Sequence, residues 1–91
     1  VYPKEIELIL DELPGVTESA VIGLPHPDFG EGVAAIVIGQ GDEFAMIAEC
    51  RKRLAAFKTP KRIVFVDELP RNAMGKVQKN VLRETYTALF A

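Results

Sequence analysis

The sequence predicts a small α+β domain, a three-stranded sheet packed with helices in the order α-β-β-α-β-α. Three observations lead there. Apolar residues recur at helical spacing in three stretches, around positions 6–13, 44–57 and 81–89. Alternating or wholly apolar short runs occupy 16–24, 33–38 and 63–66. Gly and Pro punctuate the changes of period between them. Helices mixed with three short strands favour an antiparallel or mixed sheet covered by helices. The 91 residues, 48% of them hydrophobic, allow one domain with a packed core. A chain of that size buries roughly 60–65% of its unfolded surface, so its stability alone is expected to be marginal.

Residues 2–13 are predicted as the first helix. Pro3 suits the first helical position. Ile6, Ile9, Leu10 and Leu13 make one apolar stripe, and Glu5 and Glu7 lie where the helix dipole favours anions. Pro14-Gly15 ends the helix. Residues 16–24 follow as a strand, with Val16, Ala20, Ile22 and Leu24 on one face and an exposed polar first half at Thr17, Glu18 and Ser19. Pro25-His26-Pro27-Asp28 is a turn by composition, and the single histidine receives no catalytic role. The unbroken apolar run 33–38 reads as the central strand, buried on both faces. Gly30 and Gly32 flank Glu31 before it. They can bring backbone close to a ligand or serve the end of a hairpin.

Asp42 is placed to cap a second helix running to about Phe57, with Phe44, Ile47, Cys50, Leu54 and Phe57 near one face. Arg51, Lys52 and Arg53 cluster in its later turns, where the dipole favours cations and where a phosphorylated ligand would also find them. Lys58-Thr59-Pro60-Lys61 breaks the helix, and residues 63–66 form the last strand. A final helix spans 78–89, with Val81, Leu82, Thr85 and Leu89 inward and Tyr86 between core and solvent. Lys79 falls in its first turn, against the dipole. Arg71, Lys76, Lys79 and Arg83 are thus gathered at one end, which suggests an anion that neutralises them; a solvated basic rim is the other reading.

The net charge is −2, but residues 1–49 carry −9 and residues 50–91 carry +7. An anionic partner for the second half and two opposed faces of one domain explain this equally well. A nucleic-acid-binding module is the rival function. It lacks a Gly-x-x-Gly clamp, an aromatic RNP-type strand and zinc spacing, and most of the seven aromatics fall on core stripes. One cysteine, Cys50, forms no internal disulfide and fits a reducing, cytoplasmic setting. No apolar run reaches the roughly 18 residues of a membrane span, and no secretory or transit pattern is present. The chain opens at Val1 rather than Met and is expected to be a piece of a longer protein.

The stretch richest in chemistry is Pro70-Arg71-Asn72-Ala73-Met74-Gly75-Lys76-Val77-Gln78-Lys79-Asn80. Pro70 fixes its own φ and Gly75 tolerates φ > 0, so the two can hold a loop in one shape. Lys76 is then a point charge delivered to a defined place. The loop is not a Walker loop, because Pro70 stands where the early glycine is needed and Val77 where a Ser or Thr is needed. On local physics alone, a solvated surface residue is the more ordinary reading of Lys76.

Pro70, four residues, then Gly75-Lys76 resembles the late signature of the adenylate-forming enzymes, which include acyl-CoA synthetases, peptide-synthetase adenylation domains and luciferases. Residues Val1-Tyr2-Pro3-Lys4-Glu5-Ile6-Glu7 resemble the start of their small C-terminal domain. The run from Ala20 through Pro25-His26-Pro27-Asp28, with Gly30-Glu31 after it, resembles their central hairpin. Phe57-Lys58-Thr59-Pro60-Lys61 resembles the tract before their last strand. The matches stand in the family's order and cover nearly the whole chain. Within the family, Arg71 to Asn80 and the following Val81-Leu82-Arg83-Glu84-Thr85-Tyr86 are most like malonyl-CoA synthetases.

The resemblance implies a three-stranded sheet packed with helices and a mobile C-terminal lid over a large N-terminal domain. It implies an ATP-dependent ligase that joins a carboxylate to AMP and then to CoA, with malonate as one candidate acid. Lys76 would be the adenylation lysine, and its acetylation would cancel that role. Gly75, Arg51, Gly30 and Glu31 would contact substrate or CoA, and no metal site is expected on this chain. ATP, Mg2+ and CoA would serve the full-length enzyme, with none held tightly by this piece. Its partners would be the large domain, CoA and the acyl-adenylate, and neither nucleic acid nor a membrane. Alone, the chain is expected to be inactive.

Overall fold

Pro3 does open a helix, α1 (Pro3–Asp11), whose stripe buries Ile6 and Leu10. The computed structural model describes residues 3–55 and 58–91. Tyr2 and Phe57, which the spacing assigns to helices, lie outside the described residues. The other elements are β1 (Val16–His26), β2 (Gly30–Gly39), α2 (Glu43–Arg53), β3 (Arg62–Val66) and α3 (Lys79–Thr85). β1 and β2 pair antiparallel and β3 runs parallel to β2, so the sheet is mixed with strand order β1-β2-β3. The expected α-β-β-α-β-α order and α+β class hold.

The wholly apolar run takes the centre. Residues 33–37 are all buried because both faces of β2 are covered. Val33, Ala35 and Val37 pack with Ile6 and Leu10 of α1 and Met46, Ile47 and Cys50 of α2. Ala34 and Ile36 pack with Leu69, and with Leu82 of α3. The result is three layers, two helices on one face and one on the other.

Period-two counting fails at the start of β1. Val16 packs with the α1/α2 cluster, not with Ala20, Ile22 and Leu24, which face α3. The register shifts between Val16 and Glu18, and one extra residue in a strand reverses the facing of what precedes it. Ser19 is buried rather than exposed, with its Oγ donating to Asp11 Oδ1 at 2.7 Å. β1 also runs through Pro25 and His26, so the turn is shorter than composition suggests.

The helices are shorter than their apolar periods. Asp42 caps α2 as expected, its Oδ1 accepting from Phe44 N at 2.9 Å and Ala45 N at 3.3 Å. The helix stops at Arg53, where Leu54 turns extended and stays buried. Phe44 is exposed, not on the inner stripe. α3 stops at Thr85, whose exposed hydroxyl bonds the Val81 carbonyl. Turns beyond it carry Leu89 and Phe90 back to the sheet. Gly32 leaves room for that return, since a Cβ there would meet the Phe90 ring at 2.9 Å. The close approach at Gly32 is thus made by the chain's own aromatic ring. Nor do the described aromatics sit mostly in the core: Phe29 and Phe44 are exposed, and Phe65, Tyr86 and Phe90 are half-buried.

Both outer strands have one edge without a strand neighbour, and a helix glutamate covers each. Glu7 of α1 accepts from Val21 N of β1 at 2.8 Å, and Glu43 of α2 accepts from Ile63 N of β3 at 2.8 Å. Each carboxylate also takes a cation, Lys79 at 2.8 Å and Arg62 at 2.7 Å respectively. Bonding and charge together close an edge that would otherwise invite another strand.

The lopsided charge is resolved inside the domain. Among the described residues there are six ion pairs: Lys52–Glu49, Arg53–Glu12, Lys58–Glu5, Arg62–Glu43, Arg71–Glu18 and Lys79–Glu7. Each joins an acid from residues 1–49 to a base from residues 50–91. The asymmetry reflects two halves that fold onto each other, which removes the main premise of the nucleic-acid reading. No helix among the described residues is long and apolar enough to cross a membrane.

Candidate functional site

The segment between β3 and α3 is anchored at its entry by buried Leu69. Gln78 N then donates to Pro70 O at 2.8 Å, and Arg71 and Val77 form a single antiparallel bridge. Residues 71–77 become a closed loop with its neck fixed to the domain. Inside it, Asn72 N donates to Lys76 O at 2.9 Å and Gly75 N to Asn72 O at 2.9 Å. Asn72 Oδ1 accepts from both Met74 N, at 2.9 Å, and Lys76 N, at 3.0 Å. Arg71 Nη1 donates to Gly75 O at 3.1 Å, while its Nη2 pairs with Glu18 of β1.

Gly75 has φ +82, and a Cβ there would meet nothing within 4 Å. Glycine therefore serves the sign of φ and not the space. Pro70 and Gly75 contribute as expected, but Asn72 ties more of the loop than either. The sequence carried its signal: asparagine opening a turn commonly bonds the backbone ahead of it.

Lys76 thus has both main-chain groups bonded and its side chain exposed. Its ammonium enters no ion pair or hydrogen bond among the described residues. Carboxylates do stand nearby. Lys76 lines a groove of ≈ 380 Å³ with Glu7, Asp11, Glu18 and Lys79. Each of those acids already has a partner: Glu7 takes Lys79, Glu18 takes Arg71, and Asp11 takes the Ser19 hydroxyl. The expected cluster of basic residues is therefore half neutralised by the domain's own anions. Lys79 is tolerated against the α3 dipole because Glu7 offsets its charge.

Of the remaining site residues the sequence proposes, Gly75 stands beside Lys76, and Arg51, Gly30 and Glu31 lie elsewhere. Arg51 is exposed on α2 and lines a hollow of ≈ 300 Å³ with Phe44, Ile47, Thr59, Pro60 and Lys61. Lys61 Nζ reaches from that hollow to 4.3 Å above the Phe29 ring, next to Gly30. Phe29 is tilted against His26 at 4.8 Å, and His26 against Phe90 at 5.2 Å. Gly30 has φ +75 and open space around it, so it serves the hairpin turn. The Glu31 carboxylate lies across Gly23, where a Cβ would come within 2.6 Å of it. Along β1, Glu18 marks the Lys76 end and His26 the other, eight residues apart, which is roughly 26 Å of strand at about 3.3 Å per residue. The Lys76 groove and the Arg51–Lys61 hollow share no lining residue, and Lys61 places the hollow beside the Phe29 turn.

The model of the AMP-binding enzyme C-terminal domain matches residues 5–76. The chain belongs to this family. Among curated relatives, the long-chain-fatty-acid–CoA ligase FadD13 of Mycobacterium tuberculosis is 47% identical over 91 residues, covering 97% of this chain and 18% of the relative. The putative acyl–CoA ligase YdaB of Bacillus subtilis is 44% identical over 87 residues, with 91% and 17% covered. Among solved structures, ATP-bound MatB from Rhodopseudomonas palustris superposes with a TM-score of 0.96 at 57% identity, covering 100% of this chain and 19% of MatB. The amide bond synthetase McbA from Marinactinospora thermotolerans gives a TM-score of 0.89 at 34% identity, with 94% and 18% covered. The chain thus spans about a fifth of the length of the proteins it matches. The similar ligases are named for different acids, a long-chain fatty acid and 2-succinylbenzoate among them, and McbA is named an amide bond synthetase.

Proposed function

We propose that the chain is the mobile C-terminal lid domain of an ATP-dependent acyl-CoA ligase and that Lys76 is its adenylation lysine. The observation that carries this is the Lys76 ammonium, unpaired among the described residues on a loop whose own backbone is bonded at both faces of that residue. In the first half-reaction a substrate carboxylate attacks the α-phosphate of ATP and pyrophosphate leaves. Nucleophile and electrophile are both anionic, and charge gathers as they meet. A cation positioned in advance within a cleft closed to water lowers that barrier most. Lys76 acts there by charge and placement, bridging carboxylate and phosphate oxygens, and need not exchange a proton. Gly75 supplies the positive φ that brings the chain into Lys76.

In the second half-reaction the thiol of CoA attacks the acyl-adenylate carbonyl and AMP leaves. The far end of the sheet suits that step. Arg51 and Lys61 offer charge for the CoA phosphates, and the Gly30–Glu31 turn lies on the same end. The two surfaces lie toward opposite ends of β1, whose Glu18-to-His26 stretch is roughly 26 Å long, so in this reading the lid rotates to present them in turn. The large N-terminal domain supplies the nucleotide and acyl pockets. Among the described residues, no group of three or more His, Cys, Asp or Glu could hold a metal ion.

The acid is malonate in this reading, on the likeness of residues 71–86 to malonyl-CoA synthetases and the 57% identity with MatB. A cytoplasmic setting fits the single free cysteine. The test is Lys76→Ala in the full-length enzyme with each half-reaction timed separately. Pyrophosphate release should fall by roughly 100- to 1,000-fold, while thioester formation from supplied acyl-adenylate stays within a few-fold. Equal loss of both overturns the assignment of Lys76.

A further inference from the structure

We infer that Asn72 is a positioning residue for adenylation, because its side chain holds the Lys76 loop in the shape that aims the ammonium. The inference rests on the adenylation reading of Lys76. Four hydrogen bonds converge on Asn72. Its N–H and C=O hold Lys76 O and Gly75 N, and its Oδ1 takes the N–H groups of Met74 and Lys76. Backbone bonds of this kind survive most substitutions, but the two made by Oδ1 do not. Those two reach both sides of Gly75, the one residue of the loop with φ > 0.

Among the described residues, no side chain packs on the loop tip. Residues 71–76 are all exposed, Met74 the most so at 92%. A Cβ added at Gly75 would touch nothing within 4 Å. With no packing, the tip depends on hydrogen bonds for its shape. Arg71 fixes the neck to Glu18 and bonds Gly75 O, but it does not reach the Lys76 N–H. Among the described residues, the Asn72 carboxamide oxygen is the one side-chain group that bonds the main chain of Lys76. Without it, the Met74 and Lys76 amides turn to water and the lysine stem starts from a spread of backbone positions. Misplacement of about 1 Å at a reacting centre costs on the order of 100-fold in rate.

The experiment uses the full-length enzyme with Asn72→Ala and Asn72→Asp, the latter keeping an oxygen acceptor at the same reach. Three readouts are taken: pyrophosphate release, thioester formation from supplied acyl-adenylate, and amide exchange of the 70–78 segment. Asn72→Ala is expected to lower kcat for the first half-reaction by roughly 10- to 100-fold with KM for ATP nearly unchanged. The second half-reaction should stay within two-fold, on the order of experimental scatter in such rates. Exchange at Met74 and Lys76 should quicken in the Ala variant and return toward wild type in the Asp variant. Faster exchange with an unchanged first half-reaction overturns the inference and leaves the Lys76 reading intact. Equal loss of both half-reactions with a lowered melting temperature also overturns it, since that is a folding defect. Should Lys76→Ala itself leave adenylation untouched, the underlying reading falls and this inference falls with it.

Discussion

Lys76 and Lys79 stand three residues apart and meet opposite fates. Lys79 is folded back onto Glu7, which also accepts from the edge N–H of Val21, so one carboxylate joins α1, β1 and α3. Lys76 has both of its main-chain groups bonded within its loop, yet its ammonium has no partner among the described residues. The difference separates a cation that the fold uses for itself from one that it leaves available. Lys79 satisfies an anion that the fold needs for another purpose. Lys76 is held by its backbone and not by its charge, as its proposed role requires.

Breaking the contrast should give its largest effect on rate. In the full-length enzyme, Lys76→Ala is expected to stop the first half-reaction with little change in melting temperature, whereas Lys79→Ala should lower stability and leave both half-reactions within a few-fold. Similar losses in the two variants would erase the distinction. Next in size is Glu7→Ala, which orphans both the Val21 N–H and Lys79. About 1–3 kcal/mol of stability should be lost in denaturant unfolding, more than in Lys79→Ala, because Lys79 can regain water and the strand edge cannot. A double-mutant cycle between Glu7 and Lys79 isolates their coupling, expected at about 0.5–1.5 kcal/mol given the pair's partial exposure.

The smallest effect comes from a group with no charge to place. Burial pushes the Cys50 thiol above its ordinary range; Arg53 pulls it down and Glu49 pushes it up, both by less. The neutral thiol is favoured in the fold, so its contribution is complete at neutral pH. As pH rises past about 8.5 the unfolded chain ionises first, and stability should decline until the folded thiol ionises too. Urea midpoints compared across that window, with Cys50→Ala flat as control, measure it. The same burial should keep Cys50 slow to alkylate at neutral pH until the domain unfolds.

Local patterns made much of this legible. Asp42 announced the start of α2, and Pro3 the start of α1. The unbroken 33–38 run announced the one strand covered on both faces. Gly75-Lys76 after Pro70 announced the loop. The misreadings share a cause. Val16 changed face because a bulge is a property of two strands in register and leaves no mark in one. Ser19 looked solvent-facing because its partner, Asp11, lies on another element. Apolar spacing overran both α2 and α3, since Leu54 and Leu89 can reach the core from turns as well as from a helix. The charge imbalance looked like an invitation to an outside anion, because sequence order hides that Glu7, Glu18 and Glu43 meet Lys79, Arg71 and Arg62 in space.

By itself, the sequence determined the order of elements, the central strand and the position of the cation-bearing loop. These follow from periodicity, capping and backbone preference, which act over a few neighbouring residues. The tertiary structure alone decided which cations were spent. It gave Lys79 and Arg71 to acids more than fifty positions away, passed over Lys76, and gave Asn72 the task of holding it. Pairing of charges depends on distance in space, and distance in space is set only when the sheet and its three helices have closed on one another.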